Sequence, residues 1–380
     1  MRLLPALAVL AFAASAHAQT VTSDAGAGYI TTQSIALDTY VGGRVNEGAF
    51  AKGSGASEVD GAAYVHQWPG IYFTAAFHGP EIDLRFNDTA NIYTVLIDGQ
   101  PVQSFNRPGA TEVRIAGLSD ADHVVRLEKN TESQDQIGEF DGFYVPPGEQ
   151  GLGAPHLDRQ IEFIGDSFSA GYGNLSSKRE CSQDEVWSTT DTQQAWGPLV
   201  ARHYNADYRV NAYSGFGIVR NYNGVAPRRS LVKFYPYGLF DEATPANDDG
   251  WQPQVIVIAL GGNDFSTPVH DGEKWATDAA LRADYIATYV SFVQSLRASH
   301  PDARFVLVTY GQDEIRSDLD TIVGRLKKAG ETRIDRLDVG GDFARMGCDW
   351  HLNLDDDKKV ASAVEAYLDQ HPDVWTVPEQ

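Results

Sequence analysis

Residues Ile161-Glu162-Phe163-Ile164-Gly165-Asp166-Ser167-Phe168-Ser169 combine a short apolar strand with a turn that carries a serine. In open α/β sheets the active residues gather beyond the carboxyl ends of the strands. A serine on a tight turn at that place is exposed and can act as a nucleophile, provided that a base and an oxyanion hole lie nearby. The stretch therefore predicts an α/β enzyme domain with Ser167 as candidate nucleophile.

The rest of the C-terminal half alternates strands and helices. Residues 255–260 and 305–309 are continuous apolar runs, as expected of strands that are buried on both faces. Between them, five apolar residues recur at intervals of three and four and predict a helix: Leu281, Tyr285, Tyr289, Phe292 and Leu296. We expect a three-layer α/β domain with a parallel sheet over residues 156–380.

The N-terminal half has a different pattern. Residues 28–146 contain many short segments with strand character, such as the alternating Glu81 to Phe86, and Asp98-Gly99 is a hairpin signal. This predicts an all-β domain, a sandwich of jelly-roll topology. Residues 146–155 are rich in Pro and Gly, and we place the domain boundary there.

Charge and the N-terminus limit the possible partners and the location. The formal net charge of -22 argues against nucleic acid and anionic membranes as partners, because phosphate binding needs a basic surface. Residues 1–18 have the pattern of a signal peptide, with Arg2, an apolar stretch and Ala16-His17-Ala18 before the expected cleavage point. We expect a secreted or periplasmic protein without a membrane anchor.

Three further segments could complete the site around Ser167. Ser214-Gly215-Phe216-Gly217 and Gly261-Gly262-Asn263-Asp264 each follow a predicted strand, so the Gly215 N–H and the Asn263 amide could stabilise an oxyanion. His351 lies in a loop before the last predicted helix and could act as general base. Taken singly, each segment is also an ordinary turn, for which these residues are common.

Together, Ser167, Gly215, Asn263 and His351 resemble the four blocks of the SGNH hydrolases in the family's order. A narrower resemblance, to carbohydrate esterase family 2, rests on Gly171-Tyr172-Gly173, on Arg220-Asn221-Tyr222 and on the residues around His351. It implies a flavodoxin-like hydrolase domain behind a jelly-roll domain. It also implies a serine esterase that removes O-acetyl groups from plant polysaccharides such as xylan or glucomannan.

The resemblance leaves one role open. The wider SGNH pattern has an acid three residues before the histidine, and here that position is Cys348. Either Asp349 or a backbone carbonyl could orient His351, and we favour Asp349. Trp350 could stack on a sugar ring or pack within its loop.

Cys181 and Cys348 are the two cysteines of the chain. In an exported protein they are expected to pair. Such a bridge would hold the histidine loop against the segment that follows Ser167. The sequence has no metal-ligand spacing, phosphate loop or dinucleotide motif, so no metal and no cofactor are expected.

Three functions compete on this basis. The first is an acetyl esterase with an acetylated polysaccharide or oligosaccharide as substrate. The second is an SGNH lipase or thioesterase acting on acyl esters. The third is a glycan-binding protein in which the hydrolase domain is inert.

Overall fold

The computed structural model describes residues 22–49, 62–248 and 250–376. The predicted signal peptide, residues 1–18, lies outside them. Within these ranges, thirteen strands precede residue 155: β1 Thr22–Gly26, β2 Ile35–Ala36, β3 Tyr40–Gly42, β4 Val45–Ala49, β5 Ala62–His66, β6 Tyr72–His78, β7 Glu81–Asp88, β8 Ile92–Ile97, β9 Gln100–Asn106, β10 Gly109–Ala116, β11 Asp122–Lys129, β12 Gly138–Val145 and β13 Gln150–Leu152.

These strands form two antiparallel sheets. One has the order β1-β10-β7-β12-β5-β4, with β2 beside β12, and the other has the order β13-β6-β11-β8-β9, with β3 beside β6. The eight consecutive strands β5 to β12 are divided so that one sheet holds β10-β7-β12-β5 and the other β6-β11-β8-β9. This order is that of a jelly roll, and the predicted fold of this domain is confirmed. Strands β1 and β13 belong to the sheets although they lie outside the predicted range 28–146.

The sequence of β7 alternates apolar and polar residues, but most residues on both faces of the strand are buried. Ile82 and Leu84 face the core, but Asp83 and Arg85 on the other face are also buried. The N-terminal segment covers that face: the backbone N–H of Ile30 donates to Glu112, which also accepts from Arg85. Ion pairing therefore allows a polar face of the sheet to be buried.

The second domain has five parallel strands: β14 Arg159–Gly165, β15 Ala206–Ala212, β16 Val255–Ala259, β17 Arg304–Thr309 and β18 Ile334–Asp338. Its α-helices are α1 Ser167–Ala170, α2 Gln183–Thr189, α3 Trp196–His203, α4 Leu231–Phe234, α5 Asp278–Ser299, α6 Asp313–Lys328 and α7 Leu354–Asp369. The sheet order β15-β14-β16-β17-β18 is the flavodoxin-like order 2-1-3-4-5.

Helices cover both faces of this sheet. Helices α3 and α7 pack on one face and share an apolar cluster with the strands, whereas α5 and α6 pack on the other. The predicted helix around residues 281–296 is α5, and all five residues that predicted it are buried. The three-layer α/β prediction is confirmed.

The two domains pack directly against each other. Trp68 of the jelly roll is fully buried, its Nε1 donates to the Tyr237 carbonyl at 2.9 Å, and its ring meets Phe240 edge to face. The Tyr72 hydroxyl donates to Asp207 at 2.8 Å. One apolar cluster contains residues of both domains, so the interface is a continuation of the core.

Across residues 22–49, 62–248 and 250–376, no helix combines the length and the apolar character needed to cross a membrane.

Candidate active site

Ser167 stands at the carboxyl end of β14, next to the middle of the sheet. The strand ends at Gly165, and Asp166 caps α1 by accepting a hydrogen bond from the Phe168 N–H at 3.1 Å. Ser167 is the first residue of this helix and is 7% exposed. The strand and the cap together fix the serine at the carboxyl ends of the strands, where ligands bind in this fold.

His351 contacts the serine through one ring nitrogen and its own loop through the other. Its Nε2 lies 2.8 Å from Ser167 Oγ, and its Nδ1 lies 2.8 Å from the Cys348 carbonyl oxygen. A carbonyl can only accept, so Nδ1 carries the proton and Nε2 is free to accept from the serine hydroxyl. This is the geometry of a nucleophile beside its general base.

The environment of His351 keeps the ring neutral near pH 7. Burial lowers its pKa below the ordinary value of 6.5, while the Cys348 carbonyl and the negative charge of Asp349 act in the opposite direction. Because the first effect is larger, most of the imidazole can accept a proton at neutral pH.

Asp349 does not orient the imidazole, which corrects the preference stated from the sequence. Its Oδ2 accepts from the Tyr172 hydroxyl at 2.9 Å, while the Cys348 carbonyl takes the Nδ1–H. Asp349 and Trp350 both have left-handed backbones, with φ of 51° and 59°. This turn places the carbonyl of residue 348 under the ring and the carboxylate beside it, so the backbone-carbonyl alternative is the observed one.

The predicted disulfide is confirmed. Cys181 is bonded to Cys348, with 5.5 Å between their Cα atoms and 167 residues between them in sequence. The Cys348 N–H also donates to the Gly173 carbonyl at 3.2 Å. Gly173 has φ of 56°, and a Cβ there would lie 2.5 Å from Cys348 Cβ, so only glycine allows this approach.

Tyr172 is a site residue that the sequence did not assign. Its ring centre lies 4.3 Å from that of His351, and Phe168 meets the same imidazole edge to face at 5.4 Å. These two rings restrict the imidazole to one plane. The signal in the sequence was a tyrosine between two glycines directly after the nucleophile block, which shows a tight turn but not what the ring contacts.

The glycine and asparagine segments meet beside Ser167. Gly215 has φ of 82°, and its carbonyl accepts from the Tyr222 N–H at 2.8 Å. Asn263 Nδ2 donates to the Phe216 carbonyl at 2.9 Å and to Asp166 Oδ2 at 3.2 Å. The asparagine amide thus links the nucleophile turn to the glycine turn.

Asp264 supports the glycine segment from below. Its buried carboxylate accepts three backbone N–H groups at 2.8 to 3.0 Å, from Ile218, Val219 and Arg220. Burial raises the pKa of Asp264 to about 6, and the three hydrogen bonds oppose that rise. From the sequence, Asp264 is predicted only as part of a turn.

A cavity of about 290 Å³ opens over Ser167 and His351. Asn263 lines it, and so do the exposed aromatic side chains of Tyr222 and Trp350, which are 58% and 53% exposed. Trp350 therefore faces the cavity region, where a planar ligand could stack on it.

Among the residues that the structure describes, no three His, Cys, Asp or Glu side chains are grouped so that they could hold a metal ion.

Two protein-family models match the sequence of this chain. The model of the GDSL-like lipase/acylhydrolase family matches residues 163–370, more than half of the chain, and the carbohydrate esterase 2 N-terminal model matches residues 56–155. The parallel sheet with Ser167 at its edge is thus a GDSL-like hydrolase domain.

Similar proteins of known activity or structure identify the family within the GDSL-like hydrolases. The chain is 41% identical to an acetylxylan esterase/glucomannan deacetylase of Cellvibrio japonicus, over 91% of this chain and 95% of that protein. A solved carbohydrate esterase, also 41% identical, superposes with a TM-score of 0.83 over 90% of this chain and all of the other. A family two carbohydrate esterase from Clostridium thermocellum, in complex with cellohexaose, is 26% identical with a TM-score of 0.73, over 89% of this chain and all of the other. The chain belongs to carbohydrate esterase family 2 and is an esterase.

Proposed function

We propose that this protein is an exported acetyl esterase that removes O-acetyl groups from plant polysaccharides, either xylan or glucomannan. The observation that carries the proposal is the contact of 2.8 Å between Ser167 Oγ and His351 Nε2, with the other ring nitrogen held by the Cys348 carbonyl. The names of the relatives supply the substrate class.

Acylation follows from this pair. Ser167 Oγ attacks the acetyl carbonyl carbon while its proton passes to His351 Nε2. The imidazolium then returns the proton to the sugar oxygen as the ester C–O bond breaks, leaving an acetyl group on the serine. Water attacks this acetyl-enzyme with the same histidine as base, and acetate leaves.

The tetrahedral oxyanion needs donors that are aimed at it. The N–H groups of Ser167 and Gly215 and the amide of Asn263 are the proposed donors. Asn263 Nδ2 makes its longer hydrogen bond to Asp166, at 3.2 Å. The developing oxyanion can take over that hydrogen while the shorter bond to Phe216 keeps the amide in place.

Substrate binding is assigned to the aromatic side chains at the mouth of the cavity. Trp350 and Tyr222 expose ring surface on which a sugar can stack. The net charge of -22 suits a neutral polysaccharide better than an anionic one.

The test is release of acetate from acetylated xylan and acetylated glucomannan, with a long-chain acyl ester as comparison. Wild-type protein should release acetate, and Ser167→Ala should lose several orders of magnitude in kcat while remaining folded by circular dichroism. Preference for the long-chain ester would favour a lipase. Binding of the polysaccharide without acetate release by the wild type would favour a glycan-binding protein.

Export is part of the proposal. The disulfide between Cys181 and Cys348 supports an oxidising compartment, and the signal pattern of residues 1–18 supports secretion or a periplasmic location. N-terminal sequencing of protein recovered from the medium or the periplasm should begin at Gln19.

A further inference from the structure

The jelly roll extends a loop into the catalytic domain beside the active site. This loop, residues 130–136 between β11 and β12, forms an arm. Near its start, the Asn130 carbonyl accepts from the Thr192 N–H at 2.8 Å, and near its end Asp135 accepts from Arg229. Both ends of the arm are therefore attached to the catalytic domain.

Glu132 lies between these attachments and binds Ser214 through both of its carboxylate oxygens. Its Oε1 accepts from the Ser214 N–H at 2.7 Å, and its Oε2 accepts from the Ser214 hydroxyl. Ser214 directly precedes Gly215, the proposed backbone donor to the oxyanion. A bidentate carboxylate fixes both the peptide plane and the side chain of the residue that it binds.

The carboxylate of Glu132 is supported from within its own domain. Burial raises its pKa, while the two hydrogen bonds from Ser214 and the charge of Lys129 lower it. The Lys129 ammonium is itself fixed, because it donates to Trp68 O at 2.8 Å and to Ser133 Oγ at 2.6 Å. Lys129 and Gln134 of the jelly roll thus act on the Glu132 carboxylate together with the two hydrogen bonds from Ser214.

The glycine segment is held at several residues, and Glu132 binds the one that directly precedes Gly215. Asn263 holds the carbonyl of Phe216, and Asp264 holds the N–H groups of residues 218–220. On the side where the chain enters the turn from β15, Glu132 binds the backbone of the residue next to Gly215. Displacements well under 1 Å at an oxyanion donor reduce its contribution in the transition state.

We propose that Glu132 is a positioning residue for ester hydrolysis: from the jelly-roll domain it fixes the Ser214–Gly215 turn so that the Gly215 N–H points at the oxyanion. The proposal rests on the proposed function, in which Ser167 is the nucleophile and Gly215 a donor. It gives the jelly roll a role in the chemical step in addition to any part in shaping the cleft.

The first experiment compares Glu132→Ala with wild type in the full-length protein, using acetate release and inhibition by methylboronic acid, which forms a tetrahedral adduct on a nucleophilic serine. We expect kcat to fall roughly 10- to 100-fold, less than or equal to the loss for removing a whole donor. KM should stay within about twofold, because the oxyanion is absent from the ground state. The inhibition constant should rise by the same factor as kcat falls.

Matched variants separate positioning from general structural support. Glu132→Gln can accept from the Ser214 N–H and donate to Ser214 Oγ, so it should recover most of kcat. Glu132→Asp keeps the charge but is one methylene shorter, so it should resemble the alanine variant and serves where alanine does not fold. Asp135→Asn changes a 72% exposed side chain of the same arm but keeps an oxygen that can accept from Arg229, so the arm stays attached and kcat should be that of the wild type.

Two results would overturn the proposal: wild-type kcat in folded Glu132→Ala or Glu132→Asp, or a change confined to KM. Failure of the proposed function looks different, since the wild type would then release no acetate or prefer the long-chain ester, or Ser167→Ala would retain activity. Wild-type kcat in the Glu132 variants together with an inactive Ser167→Ala removes the inference and leaves the esterase assignment standing.

Discussion

His351 is oriented by a neutral group, and this affects how its charge is stabilised. In the proposed mechanism the ring takes the serine proton, and the Cys348 carbonyl then still accepts from Nδ1 but brings no negative charge. Two other groups can stabilise the imidazolium: the Asp349 carboxylate, which raises the pKa of His351, and the face of the Tyr172 ring, 4.3 Å away. The carboxylate thus acts through its charge, not through a hydrogen bond to the ring.

We therefore expect Asp349→Asn to lose less than about tenfold in kcat. Loss of an orienting carboxylate in a hydrolase triad costs about 10⁴-fold, because the wrong tautomer forms. Here the Cys348 carbonyl keeps the proton on Nδ1 of His351 both in the wild type and in Asp349→Asn. Steady-state kinetics with Tyr172→Phe as control separates the effects, because that variant keeps the carboxylate and the ring but removes the hydrogen bond to Asp349. A loss of 10³-fold or more in Asp349→Asn would restore the triad interpretation.

The pH dependence of kcat/KM should follow the depressed pKa of His351. In the proposed mechanism the base works only as the neutral ring, so activity should be full above this pKa and fall as pH drops through it. Since burial moves the pKa below 6.5, the acid limb should lie below pH 6.5. Asp349→Asn should move the limb to still lower pH, because it removes a charge that raises the pKa.

Asp166, which lies next to Ser167 in the chain, could add a second acid limb to the pH profile of kcat/KM. Burial raises the pKa of Asp166 to about 7, and this carboxylate accepts from the Asn263 amide. An acid limb near pH 7 that disappears in Asp166→Asn would belong to Asp166. A limb at or above pH 6.5 that remains in this variant would contradict the prediction for His351.

At the scale of elements, the active site is assembled from four loops, of which the histidine loop is the most constrained. It contains two consecutive left-handed residues, Asp349 and Trp350, that cost conformational energy. The disulfide at Cys348 holds the loop on one side, and the Arg179 side chain donates to the carbonyls of Ala344 and Arg345 on the other. The loop keeps its strained shape because these contacts fix it.

Reduction of the disulfide should therefore lower both stability and kcat. A bridge across 167 residues is worth about 3–5 kcal/mol in the chain-entropy model. We expect thermal unfolding at lower temperature in dithiothreitol, and kcat reduced by about tenfold, because His351 loses its fixed place while Arg179 still restrains the loop. After removal of the dithiothreitol, thiol titration of the same protein must find two thiols per chain. Unchanged kcat with both thiols free would contradict the prediction.

The same loops show which features of the site can be predicted from the sequence and which cannot. The strand-turn pattern predicted where Ser167 and Asn263 lie, because the carboxyl ends of parallel strands converge at one edge. It could not decide between Asp349 and the Cys348 carbonyl, because the decision depends on two left-handed residues that have ordinary side chains. Glu132 was not predictable, since its contact with Ser214 joins residues 82 apart in different domains.

At the scale of the molecule, the domain interface contains buried charges as well as apolar side chains. Arg44 of the jelly roll, 1% exposed, pairs with Asp248 of the catalytic domain at 2.8 Å. Asp248 also binds Arg209, and the two arginines lower its pKa although burial acts to raise it. This ionic cluster and the shared apolar core join the two domains, so we expect them to unfold as one cooperative unit.

We expect one unfolding transition in scanning calorimetry and a clear loss of stability in Arg44→Ala. Breaking a buried pair costs about 3–5 kcal/mol, and the lower end applies because Asp248 keeps Arg209. Arg336→Ala is the control: its pair with Asp320 is on the surface, where such pairs are worth about 0–1 kcal/mol. Two well-separated transitions in the wild type would contradict the cooperative unit.

The arm affects whether the jelly roll and the hydrolase domain can be exchanged independently. Proteins built of independent modules tolerate recombination in their linkers, and residues 146–155 resemble such a linker. If Glu132 has the proposed role, a chimaera joined there to a foreign jelly roll would fold its parallel sheet and present Ser167 and His351, yet hydrolyse esters slowly. The jelly roll and the hydrolase domain would then be inherited as a pair, and a crossover between them would reduce activity even where both halves remain intact.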